Sequence, residues 1–449
     1  MNAFDYDVDL AAACHHEPEL FPFLLESAAR GGAQGRYDIL FARPDPEMLV
    51  LHADGRLSGP HAAEAGGDFL ASLDAWWRAE RGRSRTAQGS APFRGGFFLY
   101  LGYELVGQVE TSLGLTGVQD MPMALAARVP AALIRDHVSG AISYQAETGT
   151  DPALAKTLSR VLAEGAVTET PVLAGPLEEE ASQRYLDQVQ RARRYIYEGD
   201  IFQANLSRRW SGTLAAEATS TGLYARLRRA NPAPFAGLAL LGGSAIISSS
   251  PERLVSVTGR RVDTRPIAGT RPRSAEPGRD AALIRELIEN PKERAEHVML
   301  LDMERNDLGR LAEPGSVKVD ELMVVESYTH VHHIVSNVCA RLRAGTTPAQ
   351  VIRAVFPGGT ITGCPKVRCM QIIAELEQAS REAYTGAMGY LNLDGDLDLN
   401  ILIRTLVQKD RRLEFRAGAG IVADSVPERE LDETRAKARG LARALGADS

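Results

Sequence analysis

Two charged side chains in this sequence stand among apolar residues, where an ionised group is costly unless something pairs with it. Glu296, in KERAEHVMLLDMERND, precedes Leu300 by four residues and Met303 by seven, so on a helix it shares their apolar stripe. It is either a position at the edge of that stripe or a carboxylate that is paired or bound to a metal. Arg404, in the almost wholly apolar LNILIRTLV, requires an anion from the protein or from a ligand. Gln203 alternates with Phe202, Ala204 and Leu206 in DIFQANLSRRW, and so faces either a pocket or solvent. Glu433 and Lys437 are four apart on a helical pattern, the spacing of an ordinary surface ion pair.

Other motifs are narrower. His330, His332 and His333 fall in YTHVHHIVSN; in a strand the first two share a face and His333 points to the other. No Cys or further His stands at zinc-ligand spacing, which favours a single polar histidine facing a pocket. FPGGTITGCPKVR is a Gly-rich turn opening a helix. Cys364 stands where a P-loop needs Lys, and Lys366 comes too late. The turn can still aim backbone N–H groups and Thr360 at a carboxylate. The four cysteines, Cys14, Cys339, Cys364 and Cys369, form no CxxC pair, so neither structural zinc nor a disulfide framework is indicated.

These residues need elements to hold them. Ser248 to Arg273 reads as a hairpin, with Glu252 at the start of its first arm and a turn at Thr258-Gly259. Pro266, Gly269 and Pro272 break its second arm. Helices are expected over Ala181 to Glu198, over Ala281 to Ile288, and again from Asn290, where Asn290 and Glu293 match a capping box. Leu399 to Val407 reads as one apolar strand, and Leu413 to Val422 as another, broken by Gly418-Ala419-Gly420. A last helix starts near Ser425, with Ser425 and Glu428 as a capping box. Residues 1 to 170 carry short strands, among them Tyr37 to Phe41 and the aromatic run Gly95 to Glu110, but no catalytic pattern. Gly165 to Ser182 reads as a linker.

At 449 residues and 44% hydrophobic content, the chain has material for a large core. Its net charge of −7 disfavours nucleic acid and anionic membrane as general partners. An anionic substrate would need locally concentrated positive charge or a metal. The acidic start MNAFDYDVDL lacks an apolar signal core, and no run of about eighteen apolar residues occurs. Free thiols fit a reducing compartment, so a cytoplasmic, non-membrane protein is expected.

Ten segments together resemble the chorismate-utilising enzymes, most of all the aminodeoxychorismate synthase component I branch. They are LLES…GRYDIL, YLGYELV, GDIFQANLSRR, SSSPERL, DTRPIAGTRPR, KERAEHVMLLDMERNDLGR, VHHIVS, FPGGTITGCPK, LNILIRT and GAGIVADSVPERELDET, in family order. The resemblance implies an α/β (α+β) fold of two packed antiparallel β-sheets flanked by helices. It implies an N-terminal subdomain over 1–170 and a chorismate-binding catalytic domain over 180–449. The reaction it implies replaces the ring hydroxyl of chorismate with ammonia, giving 4-amino-4-deoxychorismate on the way to p-aminobenzoate and folate.

Roles follow from the same resemblance. Glu296 and Glu433 would hold Mg²⁺ against the ring carboxylate. Arg404, Tyr384 and the backbone at Gly418 and Gly420 would meet the enolpyruvyl carboxylate. Lys437, Thr360, Thr270 and Gln203 complete the substrate-binding set. Glu252 would be the general acid, which must keep its proton near neutral pH to expel a hydroxide. His333 matches the family histidine near the ring.

One position departs from the branch: Ala268 stands where many of its members carry a lysine proposed to add to the ring. An alanine forms no adduct, so ammonia attacks directly or another nucleophile substitutes. Anthranilate synthase component I, which also has alanine there, is the alternative; the NLSRR context of Asn205, GRYDIL and the length favour the first branch. Isochorismate and salicylate synthases usually carry lysine at the Gln203 position, and an amide cannot serve as a base. No glutaminase-type GxCxG segment is present, so a separate class I glutamine amidotransferase subunit is implied. LLES…RYDIL also resembles the family's tryptophan pocket.

Overall fold

The computed structural model describes residues 7–29, 34–83, 91–113, 115, 121–167, 172–328 and 331–447. Gly96–Leu101 shows how its strands are used. Phe97, Leu99 and Leu101 pack one way and Phe98 and Tyr100 the other, all fully buried. A strand apolar on both faces must lie between two layers.

Two antiparallel sheets of eleven strands each form those layers among the described residues. In the first, Gly363–Cys364, Gln203–Thr213, Arg412–Ile421, Thr405–Lys409, Ser244–Ser250, Phe235–Leu240 and Phe23–Glu26 lie side by side, three further N-terminal strands extend it, and the short Glu178–Glu179 pairs with Gln203–Thr213. The second runs from Ile267–Pro272 through Val331–Arg341, Arg261–Thr264, Arg253–Thr258, Leu397–Ile401 and Ala387–Asn392 to Gly96–Leu101 and beyond. Each sheet joins early and late sequence: Phe23–Glu26 pairs with Phe235–Leu240, and Gly96–Leu101 with Ala387–Asn392. Between the sheets the Phe23 ring stacks on Phe98, centroids 3.9 Å apart.

Helices cover the outer faces. Ser220–Ala230 and Pro427–Ala444 pack on the first sheet, and Ser182–Tyr197 with Lys366–Glu377 covers its Gln203–Thr213 end. Phe69–Arg83, Pro291–Gly309 and Pro348–Val355 cover the second.

Several local expectations need correction. The hairpin over Arg253–Thr258 and Arg261–Thr264 is present, with Gly259 at φ 60° in its turn. Ser248 to Ser250, however, belong to the first sheet, so the chain changes sheets at Pro251-Glu252. Pro251 has no N–H to continue a ladder. Leu399 to Val407 is likewise not one strand. Leu397–Ile401 is in the second sheet and Thr405–Lys409 in the first, and Arg404 between them sits at φ 53°. Arg412–Ile421 runs unbroken through its glycines. Phe202 precedes its strand and is 68% exposed.

The caps also differ. Asn290 Oδ1 accepts the Glu293 N–H, but the Glu293 carboxylate turns to Arg271, 2.7 Å away. Ser425 Oγ accepts the Val422 N–H, and the last helix begins at Pro427.

Candidate active site

The two chain crossings lie against each other. The Ser249 N–H donates to the Arg404 carbonyl oxygen at 3.1 Å. One crossing carries Glu252 and the other Arg404, so backbone bonds join the two segments that bear the acid and the guanidinium.

Glu252 is buried, and burial pushes its carboxyl up to about 7. The Glu304 carboxyl adds to the rise, while the Thr360 hydroxyl, the Ile267 N–H and Lys437 pull the other way. Thr360 Oγ1 and Glu252 Oε1 are both buried without a hydrogen bond, although the hydroxyl lies close enough to favour the carboxylate. A carboxyl near 7 is about half protonated at neutral pH, so it can give a proton to a leaving group.

Arg404 makes no ion pair among the described residues. Burial holds its guanidinium below the usual range, with Tyr384 and Glu433 opposing. Tyr384 is buried and pushed up to about 12 by burial. The Arg381 guanidinium lies 5.5 Å from its ring and donates to the Asn205 carbonyl oxygen at 2.7 Å. Burial, and then the Arg404 charge, push His333 down to about 4, so its imidazole is neutral at pH 7. Its Nδ1 is 2.9 Å from the exposed Thr270 hydroxyl.

The strand Arg412–Ile421 brings in the remaining groups. A methyl group on Gly418 would lie 2.6 Å from the Leu206 carbonyl oxygen and 2.6 Å from the Tyr384 hydroxyl. One on Gly420 would lie 2.3 Å from Gln203 Nε2 and 3.5 Å from Glu296 Oε1. These glycines let side chains from neighbouring elements close over the strand. Gln203 Nε2 donates to Glu296 Oε1 at 3.1 Å, and Gln203 Oε1 is buried without a partner. Lys437 Nζ donates to the Gly418 carbonyl oxygen at 3.0 Å and lies 2.8 Å from Glu433 Oε1. That pair is partly exposed, as its helical spacing suggested, but it also faces the glycine strand.

Ala268 lies in Ile267–Pro272, packed with Leu300, Met303 and Cys364, where it offers no nucleophile. His330 falls outside the described residues. His332 spends both ring nitrogens on protein partners, Ser327 Oγ at 2.7 Å and Asp280 Oδ1 at 3.0 Å. The segments around LLES and RYDIL contribute Leu25, Ser27, Tyr37 and Ile39 to a separate cavity of about 470 Å³.

Among the buried acids that escaped the sequence reading is Glu304, whose charge reaches Glu252. Glu304 is 6% exposed, and burial pushes it up to about 7. It stands four residues after Leu300 and four before Leu308. The stripe argument applied to Glu296 finds it equally well.

Known proteins similar to this one match most of its length. A family model described as chorismate binding enzyme matches residues 43–443. Anthranilate synthase component 1 of Streptomyces coelicolor is 39% identical over 451 residues, covering 95% of this chain and 84% of its own. Aminodeoxychorismate synthase component 1 of Bacillus subtilis is 39% identical over 441 residues, covering 94% and 91%. The crystal structure of anthranilate synthase component I from Streptococcus pneumoniae matches with a TM-score of 0.78 and 32% identity, over 91% of this chain and 92% of that one.

Proposed function

The chain belongs to the chorismate-binding enzyme family, and on that premise we propose that it aminates chorismate to 4-amino-4-deoxychorismate. The observation that carries the reading is Glu252, a buried carboxyl near 7 on the chain crossing bonded to that of Arg404, whose buried guanidinium makes no ion pair among the described residues. Chorismate is a dicarboxylate with a ring hydroxyl to be expelled, so it calls for both groups.

In this reading Arg404 and Tyr384 meet the enolpyruvyl carboxylate at Gly418 and Gly420. Lys437, Thr360, Thr270 and Gln203 border the ring, and His333 lies near it. Glu252 gives its proton to the ring hydroxyl, the C–O bond breaks and water leaves. A C–N bond forms from ammonia, which loses one proton. Chorismate and ammonia thus become aminodeoxychorismate and water.

The donors at Glu296, Glu433 and the orphan Gln203 Oε1 are all oxygens, which suits Mg²⁺. Bound there, Mg²⁺ would supply the positive charge for the ring carboxylate that a chain of net charge −7 lacks. Ammonia would come from a separate class I glutamine amidotransferase subunit.

Ala268 favours a second reading, anthranilate synthase component I. There ammonia adds beside the ring carboxylate, water leaves and pyruvate is eliminated. In either case Ala268 forms no adduct, which leaves direct attack by ammonia or a substituting nucleophile, and of these two routes we propose direct attack.

Purified protein with chorismate, Mg²⁺ and ammonium at alkaline pH decides the product by mass spectrometry. Aminodeoxychorismate is expected; anthranilate with pyruvate would move the assignment to the second reading. Protein quenched during turnover should keep its unmodified mass, and an adduct would refute direct attack. Chorismate binding without turnover would refute the enzyme.

A further inference from the structure

Glu304 and Glu252 approach the same short turn, Gly359–Ile361, from different elements. Glu304 comes from the helix Pro291–Gly309 and sets its carboxyl against the Gly359 backbone, whose N–H favours the charged form. The next residue of the turn, Thr360, sets its hydroxyl beside Glu252. The turn is pressed onto the helix: a methyl group on Gly359 would lie 3.3 Å from Met303 Cε and 3.5 Å from Glu304 Oε1. One helical turn further, Lys366 pairs with buried Asp307 and donates to the Pro357 carbonyl oxygen at 3.0 Å. The loop from 355 to 366 is thereby anchored at both ends of the Glu304 contact.

We infer that Glu304 is a positioning residue for the acid: it holds the turn that carries Thr360 and sets the charge against which Glu252 releases its proton. This rests on the reading of Glu252 as general acid. The charged and titratable neighbours are few. Glu304 faces Asp307 on its own helix, Lys366 at the start of Lys366–Glu377 and Glu252 on the crossing; Glu252 faces Glu304 and Lys437. Two carboxyls in mutual reach each raise the other's hold on its proton. Burial is the first cause of the rise at both groups, and the Glu304 charge adds to it at Glu252.

The test is kcat/KM for chorismate against pH, at constant free ammonia, for wild type, Glu304→Gln, Glu304→Asp and Glu252→Gln. Activity needs protonated Glu252, so it falls as pH rises through that group's pKa. Removing the Glu304 charge lowers this pKa, so the alkaline limb of Glu304→Gln should move down by about half a pH unit or more. The KM for chorismate should hold, and Glu304→Asp should return the limb toward wild type. Inactive Glu252→Gln with an unmoved limb in Glu304→Gln overturns the inference alone. Activity retained by Glu252→Gln overturns the assignment of the acid and this inference together. Should Glu304→Gln fail to fold, infrared titration of Glu252→Gln replaces it. Coupling is reciprocal, so one remaining buried carboxyl should titrate at lower pH than in wild type; unchanged titration of all of them overturns the inference.

Discussion

Ile401 donates its backbone N–H to the Glu252 carbonyl oxygen at 3.0 Å. With the Ser249–Arg404 bond, this ties the two crossings into one rigid joint between the sheets. In these two crossings the chain changes sheets where a ladder can end, at Pro251 in one and at the left-handed residue Arg404 in the other. The two functional residues therefore sit where the backbone is held by sheet-end hydrogen bonds, and neither main chain can shift without breaking them.

Glu252 should cost stability as well as supply a proton. Its folded value of about 7 lies above the ordinary 4.5, so the native chain binds the proton more tightly than the unfolded chain. The contribution to stability is then full below the unfolded value and is lost as pH rises through about 7. Glu252→Gln removes that loss. At pH near 8 the variant should be more stable than wild type by up to roughly 3 kcal/mol, and the difference should vanish below about pH 4. Turnover should fall by roughly 10²–10⁴-fold. Denaturant unfolding at the two pH values checks the first claim, and a variant less stable than wild type at high pH would refute it.

Arg404→Met separates binding from packing. A guanidinium desolvated without an ion pair is a burden in the free protein, so its removal should leave the melting temperature unchanged or higher. Loss of a charged hydrogen-bond partner for a carboxylate should lower kcat/KM by about 10²-fold, mainly through KM. Arg404→Lys should recover little, because an ammonium lacks the planar fork. Calorimetry and steady-state kinetics measure both; a large drop in melting temperature with unchanged KM would assign Arg404 to packing.

The strands and helices were largely legible from the sequence, because their apolar periodicity is strong. Ser182–Tyr197 falls within a residue of where its pattern puts it, and the strand Gly96–Leu101 is the first part of the aromatic run 95–110. The crossings were not legible. LNILIRTLV is apolar throughout, so periodicity cannot show a strand leaving one sheet for the other, and a left-handed arginine has no local signature. The acids on that helix were half legible: the stripe that picked out Glu296, which is half-buried, also held buried Glu304, but Met303 and Arg305 beside it read as ordinary helix. The cap at Ser425 failed because Pro427, fixed in φ and lacking an N–H, suits the first turn better.

The glycine pair should divide stability from metal affinity. At Gly418 an added methyl meets the Leu206 carbonyl oxygen, which is backbone in a paired strand and cannot yield cheaply. Gly418→Ala should therefore lose about 1–3 kcal/mol of stability. At Gly420 the obstacle is the tip of the Gln203 side chain, which can rotate away. Gly420→Ala should fold with less than about 1 kcal/mol of loss, but it displaces the amide that orients Glu296. If Glu296 and Glu433 hold Mg²⁺, this variant should need about 10-fold or more Mg²⁺ for half-maximal activity, since orienting partners carry metal affinity of that order. Activity titrated with Mg²⁺ and calorimetric unfolding of both variants give the comparison. An unchanged Mg²⁺ requirement in Gly420→Ala would remove Gln203 and Glu296 from the metal's surroundings.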